Sequence, residues 1–394
     1  MRTQRRCLRA IPWTSALLVA GLVVSGFCKA AGDAELERLL RDVCDKQVVL
    51  LGEDANHGSG ATVALKTRLV ERLVGRCGFR RIAFESGFYD FVEFGRAADR
   101  GEATQAQLAD AIGGLWSTTS ELQPLLPFLL TRANQRTIAV VGLDPQSGGA
   151  TYRYAQQRMP DELAAYLDDA RKASCRDEID RLTNWRYDDT TSFYDDATRA
   201  RIRSCASEIG RAAKRRKNDP NAAAVVAMAR NLTASVDLEG PDAAARRDKA
   251  MYENLAWYLA KDDTRIKTVV WCATVHAAKA SPFSLPDRKP MGAYVHDVFG
   301  DRSAAIGFSA ISGGYGRPGQ SQNALTTALD DSLEASSFKG FKGDFRYLDR
   351  KALDDAGEVR ARALDYARSD SANWSRYVDG IVVMRNETPL HVMK

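Results

Sequence analysis

Two periodicities alternate along the chain. Short runs that are apolar at nearly every position, residues 47–51, 81–84 and 137–141, predict strands buried on both faces. Between them, apolar residues recurring every three or four positions predict helices over 34–43, 61–76, 89–98 and 121–134. This alternation is the pattern of βαβ units, so the expected fold is α/β, with a largely parallel central sheet flanked by helices. From about 152 to 263 the strand period disappears, and helical periods fill 161–173, 198–215, 222–235 and 243–260. Strands resume at 267–273, 304–308 and 380–384. Chain on both sides of the helical stretch therefore completes one sheet. Residues 31–394 are expected to form a single domain whose helical insertion covers the carboxyl ends of the strands. The Gly-rich run Ser312-Gly313-Gly314-Tyr315-Gly316 lacks a P-loop lysine and reads as a flexible loop at the rim of the crevice.

The first thirty residues stand apart. A basic start (Arg2, Arg5, Arg6, Arg9), an apolar stretch from Ala16 to Phe27 and the run Cys28-Lys29-Ala30 are the parts of a secretory signal peptide. The apolar stretch falls short of the roughly 20 residues a transmembrane helix needs. An exported protein without a membrane span, periplasmic or secreted, is expected. Residues 1–30 hold four arginines and one lysine but no acid, so without them the formal charge falls from +5 to 0. A neutral chain lacks the surplus cations that bind phosphate backbones, which argues against nucleic acid as a partner. Five cysteines remain, and in an oxidising compartment they predict two bridges and a leftover thiol. Cys44 lies four residues before Val48 and Cys77 four residues before Arg81, each ahead of a predicted strand, and the two are expected to pair. Cys175 and Cys205 form the second expected pair, and Cys272, inside an apolar strand, is expected to be a buried free thiol. Oligomeric state is not legible.

Chemistry gathers at the strand ends. Glu53 and His57 follow the first strand, Glu85 the second, Asp144 the third, and His276 the strand beginning at 267. In a parallel sheet these ends open onto one crevice. Two histidines and several carboxylates suit general acid–base hydrolysis, or a divalent metal held by His57, His276, Glu53 and Glu85. The bland readings are a helix-capping turn for His57, a turn before Pro145 for Asp144 and a surface pattern for Arg247 with Glu253. His296 and His391 have no neighbouring chemistry and read as incidental. Neither Gly58-Ser59-Gly60 nor Ser86-Gly87 is a nucleophile elbow, so Ser59 and Ser86 are weak nucleophile candidates.

An ordered series of short motifs resembles the erythromycin esterase family, which includes proteins linked to succinoglycan biosynthesis. The series runs Leu51-Gly52-Glu53 with His57-Gly58, Cys77-Gly78-Phe79 before Ile82-Ala83-Phe84-Glu85, Trp116 with Glu121, and Gly142-Leu143-Asp144-Pro145-Gln146. It continues through Arg247-Asp248 with Met251, Glu253 and Asn254, then Trp271 to His276, Met291 to Tyr294, Ile306 to Phe308, Asp379-Gly380 and Thr388-Pro389. The resemblance implies hydrolysis of a lactone or other ester, a small-molecule substrate, by water that a histidine activates, with no cofactor required. Under it His57 resembles the general base, Glu53 and Glu85 the carboxylates that orient it, and His276 a second polar group near the scissile carbonyl. Asp144, Lys66 and Arg247 resemble supporting residues. Two positions depart from the pattern. The acid three residues before the histidine is Asp54, whereas Glu53 stands four before, so either could partner His57. Ala273 stands where a histidine is common. Those departures keep open a non-catalytic cleft protein, and metal-dependent hydrolysis remains a third reading. The insertion's aromatics Trp185, Tyr187, Tyr252 and Trp257 are candidates for the substrate wall.

Overall fold

A computed structural model describes residues 32–147, 153–184, 195–238, 240–261, 265–281 and 287–393. The expected signal peptide lies outside the described residues. At the centre of an eight-stranded sheet is β1 (Val48–Leu51), whose four residues are all buried. On one side it pairs in parallel with β4 (Lys267–Trp271), which pairs with β2 (Phe79–Gly87), which pairs with β3 (Ala139–Asp144) at the edge. On the other side lies β5 (Ser303–Tyr315), parallel to β1 and to β10 (Gly380–Glu387). Antiparallel to their neighbours are β6 (Asn323–Leu325), on β5, and β7 (Phe345–Asp349), on β10. A small hairpin of β8 (Glu358–Ala361) and β9 (Asp370–Asn373) stands apart. The fold is thus the expected mixed α/β one.

The parallel strands form where the apolar runs predicted, because helices cover both faces and nearly every position of β1 to β4 is buried. The helix Gly60–Cys77 shows how. Val63, Leu65, Leu69, Val70 and Leu73 form its buried stripe, and it stops at Gly78, whose left-handed backbone returns an N–H to Leu73 O. Several boundaries differ from the sequence reading. The Gly-rich 312–316 run is not a loop: most of it belongs to β5, where Ser312 and Gly313 pair with Asn386 and Glu387, and Gly314 with Ala324. Without side chains to alternate, such a strand leaves no pattern to read. The expected helix 161–173 is two helices, Met159–Ala164 and Asp169–Thr183, and the expected helix from 121 begins at Leu125 behind a turn.

The insertion packs on the helix Phe88–Asp99, where Phe88, Tyr89 and Val92 meet Met159, Ile179, Ile202, Met228 and Leu232. Its last helix, Ala243–Lys261, lies against β3, with Asn254 Nδ2 donating to Leu143 O. That helix delivers Arg247 and Asp248 to the strand ends. Both expected disulfides, Cys44–Cys77 and Cys175–Cys205, are formed, and Cys272 is a buried free thiol. No helix among the described residues is long and apolar enough to cross a membrane.

Candidate active site

The contiguous order β1–β4–β2 decides which side chains meet. After β1 the chain keeps pairing with the turn beyond β4, since Glu53 N donates to Cys272 O and Thr274 N to Glu53 O. Gly52 permits that approach: a Cβ there would sit 2.5 Å from Thr274 Oγ1 and 2.6 Å from its Cα. Glu85 lies where the register between β2 and β3 shifts, an irregularity that re-aims a side chain out of the ladder.

Glu53 is wholly buried, and nitrogen donors surround its carboxylate. Oε1 accepts from His57 Nδ1 at 2.9 Å and from Trp116 Nε1 at 3.0 Å, and Oε2 from Lys66 Nζ at 2.9 Å. Burial alone would push this carboxyl up, but the charges of Lys66 and His57 hold it below the ordinary glutamate range. Lys66 is equally buried and also lies 4.3 Å above the Trp271 ring; its own pKa is lowered by desolvation.

His57 has φ +56°, a left-handed conformation uncommon outside glycine. A tight turn holds it there, with His57 N donating to Asp54 O and Asn56 N to Asp54 Oδ2. Such strain costs on the order of 1–3 kcal/mol and clusters at functional positions. The ring stands edge-on to Trp116, and Nε2 lies 3.6 Å from Glu85 Oε1, beyond direct hydrogen-bonding distance. Desolvation opposes its charge, yet Glu85 and Glu53 outweigh burial and raise its pKa to about 9.

The choice between the two acids is settled by contact. Asp54 turns away from the imidazole, and its other oxygen accepts from Tyr366 N at 2.7 Å. Burial raises its pKa to about 6. Asp54→Asn is expected to leave the His57 titration near pH 9, whereas Glu53→Gln, which removes the partner at Nδ1, lowers it. Imidazole NMR signals followed from pH 5 to 10 check this.

Glu85 joins the two histidines. Its Oε1 accepts from Arg247 Nη2 at 2.8 Å and lies 3.1 Å from His276 Nε2; its Oε2 accepts from Ala273 N at 2.8 Å. Burial pushes it up, but His276, His57 and Arg247 hold it well below the ordinary range. Arg247 also donates to Asp144 Oδ2 through Nε at 3.1 Å and Nη2 at 2.6 Å. His276 sits in a short helix, Thr274–Ala277, beyond β4 rather than at the strand's end. Its Nδ1 lies 2.6 Å from Asp248 Oδ1 and 2.9 Å from Arg288 Nη2; its Nε2 faces Glu85 and, at 3.0 Å, Arg247 Nη1. Burial disfavours its charge, and Glu85 and Asp248 outweigh burial to raise its pKa. Both ring nitrogens are thus engaged.

The structure brings together Glu53, His57, Lys66, Glu85, Asp144, Arg247 and His276, and leaves Asp54 at the turn. Sequence reading missed Asp248 and Arg288 as partners of His276; the adjacency Arg247-Asp248 was the visible signal for Asp248, and Arg288 carried none. Ser86 is engaged with Ile112 O at 2.8 Å, while Ser59 Oγ is buried without a partner. Trp185 and Tyr187 lie outside the described residues. Tyr252 stacks on Tyr294, and Trp257 lines a separate cavity of about 450 Å3 with Arg80, Arg136 and Lys261.

The donor set does not fit a divalent cation. Lys66, His57 and Trp116 take both oxygens of Glu53, and the Arg247 guanidinium stands beside Glu85 and His276 where a cation would have to sit. Among the described residues no group of three or more His, Cys, Asp or Glu is disposed to hold a metal ion.

The erythromycin esterase family model matches residues 74–386, most of the chain. The chain belongs to the erythromycin esterase family. Three solved structures share the fold of this family member. A Bacillus cereus protein matches at 20% identity and a TM-score of 0.70, over 91% of this chain and 93% of that one. A succinoglycan biosynthesis protein matches at 17% and 0.71, over 91% and 92%. A mutant of the erythromycin esterase EreC in its open conformation matches at 16% and 0.66, over 89% and 93%. No curated protein sequence matches significantly. Family membership supports a hydrolase acting on a small molecule.

Proposed function

We propose that this family member is an exported hydrolase that cleaves a lactone or other carboxylic ester with water activated by His57. The observation that carries the reading is the unequal state of the two imidazoles. His276 is held at both nitrogens, whereas His57 is held at Nδ1 by Glu53 and keeps Nε2 3.6 Å from its nearest acid. That nitrogen makes no hydrogen bond within the described residues, and Glu53 fixes the tautomer that leaves it basic. Glu85 is a poor base, because three donors share its carboxylate and hold it ionised. Arg247, the partly exposed cation of the cluster, is placed to meet the charge that develops on the carbonyl oxygen. The two disulfides are compatible with export.

With a pKa of about 9, only about one His57 in a hundred is neutral at pH 7. Under this reading kcat/KM on p-nitrophenyl esters and lactones climbs about tenfold per pH unit from 6 and levels near 9. Glu85→Gln removes the negative charge that raises the imidazole most, so the climb should level at lower pH. A profile that is flat from 6 to 10, or a plateau that stays near 9 in Glu85→Gln, counts against His57 as the base. Turnover that vanishes on chelation points to the metal-dependent reading, and no turnover on any ester to a non-catalytic cleft.

A further inference from the structure

We infer that residues 387–393 form a strap that positions His57 and Trp116 from outside the crevice, making Glu387 and His391 positioning residues of the site. The segment leaves β10 and touches both sides of the Glu53–His57 pair. On the His57 side, Gly60 N donates to Thr388 O at 2.6 Å, and the Glu387 carboxylate, itself buried, accepts from Thr62 N at 3.2 Å, Thr62 Oγ1 at 2.6 Å and Tyr366 OH at 3.0 Å. Glu387 thereby supplies an anion to the first turn of the helix Gly60–Cys77, whose own N-cap, Ser59, makes no side-chain bond. That helix carries Lys66. The fit is close: a Cβ on Gly60 would stand 2.5 Å from Pro389 O. One step on, Leu390 N donates to Gly316 O, and Gly316 N donates to Gly58 O, next to His57.

On the Trp116 side the strap runs beside residues 118–121. Ser120 N donates to His391 O and Met393 N to Thr118 O, both at 2.9 Å, and Thr119 bridges Val392. His391, which the sequence left incidental, closes the clasp: its Nδ1 lies 2.6 Å from Glu121 Oε1, and its N–H donates to Glu121 Oε2. Thr119 returns its hydroxyl and its N–H to Trp116 O, so this short stretch holds the backbone from which the indole projects. Among the described residues Trp116 is the one that both bonds Glu53 and abuts the His57 ring. The run Gly58-Ser59-Gly60 and the motif Thr388-Pro389, which the chemistry does not use, are explained as the two surfaces of this joint.

The inference rests on Glu53 and His57 being the reactive pair, but its test does not depend on turnover. Residues 391–394 are removed from the full chain, and hydrogen exchange of the indole N–H groups is followed by 15N NMR. Trp374, whose indole N–H donates to Val359 O, is the internal standard. The expected result is that Trp116 exchanges at least about tenfold faster relative to Trp374. Where esters are turned over, kcat falls while KM for p-nitrophenyl acetate holds. An unchanged exchange ratio overturns the strap whatever the activity. If the shortened chain does not fold, Glu121→Ala removes the clasp from the other side. It is expected to raise the same ratio about threefold, and no rise overturns the inference equally.

Discussion

His57→Asn is expected to lower kcat/KM for ester or lactone hydrolysis about 10²- to 10⁴-fold, the usual contribution of a positioned general base. Asparagine suits this test better than alanine because it tolerates the left-handed backbone that His57 adopts at φ +56°, so the turn through Asp54 and Asn56 persists. The side chains around it offer no substitute. Glu85 is committed to Arg247, His276 and Ala273 N, and His276 is engaged at both nitrogens. The same variant reads out in stability. The folded pKa of His57 lies above its ordinary value, so its contribution is complete below about pH 6.5 and is lost as pH rises through about 9. Urea midpoints measured from pH 6 to 10 should therefore fall for the wild type with a component that His57→Asn lacks. Turnover within threefold of wild type would remove His57 from the mechanism.

How much of this was legible depended on what each residue contacts. The strands at 47–51, 81–84 and 137–141 announced themselves because double-sided burial leaves a continuous apolar run. Short, half-exposed strands such as Asn323–Leu325 and Glu358–Ala361 carry no such run, and glycines hid the pairing of 312–316. In the site, Glu53, His57, Glu85 and His276 were visible because they follow strands. Arg247 was not distinguishable from a surface helix charge, since its partners Asp144 and Glu85 lie 103 and 162 positions away in the chain. The ambiguity between Glu53 and Asp54 was one of rotation about a turn. Backbone N–H groups decided it: Tyr366 and Asn56 claim Asp54, leaving Glu53 for the imidazole. Lys66 was visible only through the family resemblance, as a basic residue on its helix, whose buried side it shares with Leu65 and Leu69.

That lysine carries the second large effect. Lys66→Met is expected to destabilise the fold by about 3–5 kcal/mol, the usual result of removing one partner from a buried ion pair. Both Lys66 and Glu53 are fully buried, so no solvent takes the place of the ammonium, and methionine fills its volume without a charge. The carboxylate would keep His57 and Trp116 as donors, but Lys66 is the largest influence opposing its desolvation. Without it, burial wins and the Glu53 carboxyl rises. The sign follows from the wild-type state. A carboxyl held below its ordinary value contributes stability above about pH 4.5 and loses it only as pH falls through the lower folded value. Lys66→Met should forfeit that contribution at neutral pH. A protonated Glu53 would also cease to fix the imidazole tautomer, so turnover should fall with stability. Adding Glu53→Gln removes the stranded charge, and the double variant should recover part of the lost stability while remaining inactive. Urea unfolding of the two single variants and the double variant measures the coupling. If the double variant's loss equals the sum of the two single losses, the pair is not coupled, and Glu53 owes its ionisation to His57 and Trp116.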